Sequence, residues 1–98
     1  MWRGMTFNLR FKEQALQEWH NLEPAIREQF AKKLRTLKEN SCIESARLSG
    51  IKNCYKIKLR NAGYRLVYEV REQEVVILIV AIGKRERNDI YKTAMKRL

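Results

Sequence analysis

The chain reads as an α+β domain, and three observations predict it. Three strand-like runs follow one another between Cys54 and Ile82. Two amphipathic helical segments precede them and meet at Glu23-Pro24. A short alternation of apolar and polar residues, Phe7 to Phe11, opens the ordered pattern. The expected architecture is an N-terminal strand and a helical hairpin packed on a sheet, closed by a C-terminal helix. With 98 residues there is room for one modest core and no second domain.

In the opening strand Phe7, Leu9 and Phe11 alternate with Asn8 and Arg10, and its expected place is beside the central strand. A helix over about Lys12 to Asn21 puts Ala15, Leu16, Trp19 and Leu22 on one side. Glu23-Pro24 interrupts it, and proline suits the first turn of the next helix. That helix carries Ile26, Phe30, Leu34 and Leu37 in one stripe, with Ala31 beside it. Arg27, Lys32, Lys33, Arg35 and Lys38 line its outer face. So tight a connection makes an antiparallel hairpin that can cover one face of a sheet. Asn40 to Asn53 reads as a loop rich in Ser, Asn and Gly, pinned to the core by Ile43, Leu48 and Ile51. The last helix, about Asn88 to Lys96, spaces Ile90, Tyr91, Ala94 and Met95 helically, with Asn88 as its cap.

The three strands allow a register argument. Cys54 to Arg60 alternates, with Tyr55, Ile57 and Leu59 on one face and Lys56, Lys58 and Arg60 on the other. Tyr64 to Val70 puts Tyr64, Leu66, Tyr68 and Val70 on one face. Asn61-Ala62-Gly63 supplies turn chemistry between them. A slip of one residue would send one apolar set into water, so Leu59 must face Tyr64. Lys58 then faces Arg65, and Lys56 faces Val67. The third run, Val75 to Ile82, is apolar throughout and predicts a central strand covered on both faces. Gly83 is expected to end it, with Lys84, Arg85 and Arg87 crowding the sheet end. Like charges directly opposite each other are unfavourable, so Lys56, Lys58 and Arg65 on one face require either open solvent or a bound polyanion.

The charge balance points to the polyanion. The chain carries 21 Lys and Arg against 11 Asp and Glu, a net +10. Residues 52–98 hold 12 basic and 5 acidic side chains, so the excess lies with the sheet. Nucleic acid is the first partner such a surface implies, with acidic proteins or membrane surfaces behind it. No apolar run is long enough to span a bilayer. Met1 to Gly4 lacks a signal-peptide core and reads as an N-terminal extension, with Met5 an alternative start. Cys42 and Cys54 lack metal or redox spacing and fit a reducing, cytoplasmic setting.

The familiar catalytic sets are absent from the sequence. His20 is the only histidine and sits beside Trp19 on the first helix, which reads as an exposed helix residue. No His, Cys and carboxylate set has metal-ligand spacing, so neither metal nor cofactor is expected. There is no glycine-rich phosphate loop and no Ser-His-Asp set. An enzyme made from this chain must work with Lys, Arg and Tyr. RNA can be cut by its own 2′-hydroxyl attacking the adjacent phosphate in line. The reaction needs alignment, charge stabilisation and proton transfer at both ends. Cations held close together favour a neutral amine, the form of Lys56 or Lys58 that would accept a proton.

Cys54-Tyr55-Lys56-Ile57-Lys58-Leu59-Arg60, Gly63-Tyr64-Arg65-Leu66-Val67-Tyr68 and Gly83-Lys84-Arg85-Glu86-Arg87, with Tyr91 four residues on, resemble the RelE toxins of bacterial toxin–antitoxin systems. Ala15-Leu16-x-x-Trp19, Arg27-Glu28-Gln29, Lys32-Lys33-Leu34 and Leu48-x-Gly50 extend the likeness from about Met5 to Leu98. The resemblance implies a compact RNase-like domain, its helical hairpin packed on a mainly antiparallel four-stranded sheet. It implies a ribosome-dependent endoribonuclease that cuts mRNA in the A site, leaving a 2′,3′-cyclic phosphate or derived 3′-phosphate and a 5′-hydroxyl. The implied active-site residues are Lys56, Lys58, Arg65, Arg85 and Tyr91. The lysines take the base role and phosphate contact, and the arginines stabilise charge, Arg85 also as acid. Tyr91 stacks on a base and helps activate the hydroxyl. Lys52, Arg60, Lys84, Arg87, Lys32 and Lys33 are the further expected RNA contacts. Ser49 stands where the family has a basic residue. The implied partners are a RelB-like antitoxin that masks the basic face, and the 70S ribosome with its rRNA and mRNA. The competing reading is a ParE-like toxin of the same superfamily that inhibits DNA gyrase without enzymatic activity.

Overall fold

The computed structural model describes residues 7–38, 47–48, 52–84 and 89–98. Strand β1 (Asn8–Phe11) leads into helix α1 (Glu13–His20) and helix α2 (Pro24–Leu37). Strands β2 (Cys54–Leu59), β3 (Tyr64–Arg71) and β4 (Val76–Lys84) follow, and helix α3 (Asp89–Arg97) closes the order. The sheet runs β1-β4-β3-β2. β1 lies parallel to β4, while β2–β3 and β3–β4 are antiparallel. The α+β reading and the mainly antiparallel sheet hold.

Local chemistry accounts for the elements. Pro24 occupies the first turn of α2, where its missing N–H costs nothing. Asn21 to Glu23 leaves too short a link for anything but reversal of direction. Gly63 closes the β2–β3 turn at φ 71°, its N–H donating to the Leu59 carbonyl at 2.8 Å. Nothing lies within 4 Å of a Cβ built there, so backbone conformation and not space selects glycine. A one-turn 3₁₀ segment, Glu72–Glu74, joins β3 to β4 and ends at Val75 with φ 55°. A β-branched residue in that region is strained.

The β2–β3 register is the one the apolar faces demand: Leu59 opposite Tyr64, Lys58 opposite Arg65, Lys56 opposite Val67. One face of the sheet meets α1 and α2. Ala15, Phe30, Leu34 and Leu37 pack there against Ile57, Leu59, Leu66, Tyr68, Ile77 and Ile79. The other face meets α3, where Ile90 and Ala94 pack on Val67, Val80 and Ala81, with Leu48 and Cys54 alongside. Leu48 docks through its own N–H to the Cys54 carbonyl at 2.8 Å, and Arg47 bridges Tyr55 on the outer edge of β2.

A β-bulge divides β4. Tyr68 pairs with Ile79 but Val67 pairs with Ala81, so Val80 is the extra residue. Ile77, Ile79 and Ile82 therefore face the helical hairpin, whereas Val80 and Ala81 both face α3. The bulge resets the alternation and gives both faces an apolar floor.

Two expectations need correction. Gly83 does not end the strand: β4 continues to Lys84, and Gly83 pairs with Arg65. Its role is close approach, because a Cβ there would stand 3.2 Å from Ile90 Cδ1 of α3. Leu16 is not a core residue of α1. It is 40% exposed, and Trp19 packs on Phe11 instead, ring centroids 5.4 Å apart. Residues 1–4, Cys42, Ile43, Ile51 and the Asn88 cap lie outside the described residues.

Candidate functional site

The α3 face is where the sequence placed its cationic cluster, and strand alternation decides who stands there. Lys56 and Lys58 alternate with the core residues Tyr55, Ile57 and Leu59, so both point away from the hairpin. Arg65 does the same between Tyr64 and Leu66. The register then sets Lys58, Arg65 and Gly83 in a row across β2, β3 and β4. Gly83 contributes no side chain to this row, which leaves room for the first turn of α3.

Arg65 is 6% exposed and is the buried charged residue among those described. Its Nη1 donates to the Tyr64 carbonyl at 3.2 Å. Among the described residues no carboxylate forms an ion pair with it. Burying a guanidinium is costly to the fold. Lys56 is half-buried, and its Nζ stands 5.9 Å from the centroid of the Tyr91 ring. That is within cation–π reach and joins a strand lysine to the closing helix. Lys58 is exposed, one strand position pair further along.

An open groove of about 350 Å³ lies between α2 and β2 on the hairpin side of the sheet, lined by Lys33, Thr36, Leu37, Lys56, Ile57, Lys58 and Tyr68. It brings Lys33 of α2 to the same opening as the two strand lysines. Lys32, also on α2, is exposed but does not line the groove. Lys52 is exposed in the turn before β2, Arg60 in the β2–β3 turn, and Lys84 at the end of β4. Arg85 and Arg87 lie outside the described residues. Lys56, Lys58, Arg65 and Tyr91 are thus gathered on one face, with Lys33 at its margin. Lys52, Arg60 and Lys84 are turn and strand-end cations, and Lys32 belongs to the α2 surface.

The other chemistry-bearing groups among the described residues add no reactive centre to this cluster. His20 is exposed at the end of α1. Cys54 is fully buried, and burial together with the nearby Glu69 carboxylate pushes its thiol up to about 11, so it is no nucleophile near neutrality. Among the described residues no three His, Cys, Asp or Glu side chains converge as a metal site. No helix of the described residues is long and apolar enough to cross a membrane. The residue that sequence reasoning missed is Gly83. Its signal was present in the pairing: a glycine opposite an arginine, just before a helix that must lie on the strand.

Known proteins share this architecture over nearly the whole chain. Residues 9–89 match the family model described as the ParE toxin of type II toxin–antitoxin systems, parDE. The mRNA interferase toxin RelE of Escherichia coli strain K12 is 48% identical over 94 residues, covering 96% of this chain and 99% of the relative. The free-state structure of an E. coli RelE double arginine mutant superposes with a TM-score of 0.89 at 46% identity, over 96% of this chain and 99% of the other. A chain of the intact E. coli RelBE toxin–antitoxin complex superposes with a TM-score of 0.79 at 49% identity, over 84% and 99%.

Proposed function

Because the chain belongs to the RelE toxins of type II toxin–antitoxin systems, we propose that it is an endoribonuclease that cuts mRNA in the ribosomal A site. The observation that carries the reading is the meeting of Lys56, Lys58, Arg65 and Tyr91 on one sheet face. The substrate 2′-oxygen attacks the neighbouring phosphorus and the bond to the 5′-oxygen breaks, leaving a 2′,3′-cyclic phosphate and a 5′-hydroxyl. One of the two strand lysines takes the 2′-proton. Arg65 and Arg85 balance the charge that builds on the phosphate oxygens. Arg85 returns a proton to the departing 5′-oxygen. Tyr91 stacks on a base and holds the strand against Lys56.

Such a site lacks a histidine or carboxylate pair to move protons efficiently. Its rate therefore depends on the alignment of the strand, and an ordered A-site codon supplies that alignment. This is the physical case for a ribosome requirement, for rRNA contacts by Lys52, Arg60, Lys84, Arg87, Lys32 and Lys33, and for action in the cytoplasm. A RelB-like antitoxin completes the system. An acidic, amphipathic segment would neutralise a chain of net charge +10 and mask the cationic face.

The test is primer extension on purified protein, with free mRNA in one reaction and the same mRNA on ribosomes with an empty A site in the other. Cleavage within the A-site codon, on ribosomes only, is the expected result. Equal cutting of free RNA would remove the ribosome from the mechanism. Gyrase-dependent DNA breaks with intact mRNA would overturn the reading in favour of ParE-type inhibition.

A further inference from the structure

β1 covers β4 only as far as Ile79, which pairs with Phe11 and accepts from Lys12 N–H at 2.9 Å. Beyond that point β4 bulges at Val80, and among the described residues no strand pairs with that edge. Two side chains from distant parts of the chain take the place of a strand. Glu18 of α1 accepts the Ile82 N–H at 3.0 Å, and Arg97 of α3 donates from Nη1 to the Val80 carbonyl at 3.0 Å. The two are also bound to each other as a fork, Nη1 to Oε1 and Nη2 to Oε2, both at 2.9 Å. The Arg97 side chain is 15% exposed and that of Glu18 31%, so the pair is largely shielded from water.

The helix so anchored is otherwise thinly held. α3 is nine residues long and buries Ile90 and Ala94, while Met95 and Leu98 remain exposed. A helix this short is not stable on its own. Ile90 and Tyr91 lie near its start and Arg97 at its end, so contacts at both ends are needed to set its position on the sheet. That position is what brings the Tyr91 ring to Lys56.

We propose that Glu18 and Arg97 are positioning residues for the RNA site: their fork pins α3 to the bulged edge of β4 and so holds Tyr91 against Lys56. The function assigned to Tyr91 rests on the RNA-cleavage reading above; the anchoring of α3 does not. Arginine is required because lysine supplies the charge without the planar fork that meets Glu18 and Val80 together.

The experiment uses the full chain with Glu18→Gln, Arg97→Lys and Arg97→Met, each made with Tyr91 present and with Tyr91→Ala. Single-turnover cleavage on ribosomes is read beside amide exchange across residues 89–97. With Tyr91 present, Arg97→Met should slow cleavage about 10- to 100-fold, the scale of a misplaced contact. Arg97→Lys should fail to restore it. On the Tyr91→Ala background the same changes should add nothing, because the pair acts through that ring. Exchange across 89–97 should accelerate at least about tenfold while β3 and β4 are unchanged. An equal loss on both backgrounds, or full activity of Arg97→Lys, overturns the proposal. So does unaltered exchange in α3, and that readout stands even if the wild-type chain cuts no RNA. The conservative Glu18→Gln and Arg97→Lys variants keep the test decisive if Arg97→Met does not fold.

Discussion

The two faces of the four-stranded sheet solve different problems. The face under α1 and α2 is an apolar core in which Phe30, Leu34, Leu66, Tyr68, Ile77 and Ile79 are almost wholly buried. The face under α3 has a smaller apolar floor, Val67, Val80 and Ala81, and beside it stand Lys56, Lys58 and a buried Arg65. Side-chain alternation lets the two coexist on one set of strands. The first face stabilises the fold. On the proposed function, the second gives up stability to hold charge for an anion, a trade expected of functional sites.

Breaking the hairpin face should have the largest effect. Phe30→Ala should cost about 3–5 kcal/mol of unfolding free energy. Denaturant titration measures it, and the remaining folded fraction should cut at the normal rate. Breaking the other face should do the reverse. Arg65→Met should slow cleavage about 10²–10³-fold. Its stability should be unchanged or higher, since a buried cation is removed and apolar volume kept. A large loss of stability in Arg65→Met would show that the two faces are not divided in this way.

Cys54 sharpens the comparison by pH. Its thiol is neutral when folded up to about 11, against 9.0 unperturbed. A raised value means that the folded chain keeps its proton while the unfolded chain loses it. Stability is therefore unaffected below pH 9 and falls as pH rises from 9 to 11, by on the order of 2 kcal/mol. In a Cys42→Ser chain, unfolding followed across that window should show the fall, and Cys54→Ala should remove it. The smallest effect belongs to Gly83→Ala. Ile90 must yield a few tenths of an ångström, which costs about 1 kcal/mol. Cleavage should weaken more than stability, because α3 shifts with Ile90.

Much of this division was legible in the residues. The β2–β3 register followed from one requirement, that Tyr55, Ile57 and Leu59 share a face with Tyr64, Leu66 and Tyr68. The pairing of Lys58 with Arg65 came with it. β4 was less legible. A run that is apolar from Val75 to Ile82 has no alternation to count, so the bulge at Val80 was hidden and Gly83 looked like a terminator. The contact of Lys56 with Tyr91 and the Glu18–Arg97 fork depend on where α3 lands. No local pattern encodes that placement, because the partners are far apart in the chain. Leu16 fits a helical stripe by spacing alone. It is exposed because α1 is short and Phe11 takes Trp19 as its neighbour.

β1 pairs with the last strand of the sheet, Asn8 with Val76, and so ties together distant parts of the sequence. The β2–β3–β4 meander needs only short loops, whereas docking β1 must first close a long one. The order of assembly follows. The antiparallel meander can form early, and β1 and α1 join afterwards, bringing Glu18 to the edge where Arg97 must bind. On this order, a chain whose β1 and α1 have yet to dock is expected to lack the Glu18–Arg97 fork, the contact proposed to fix α3.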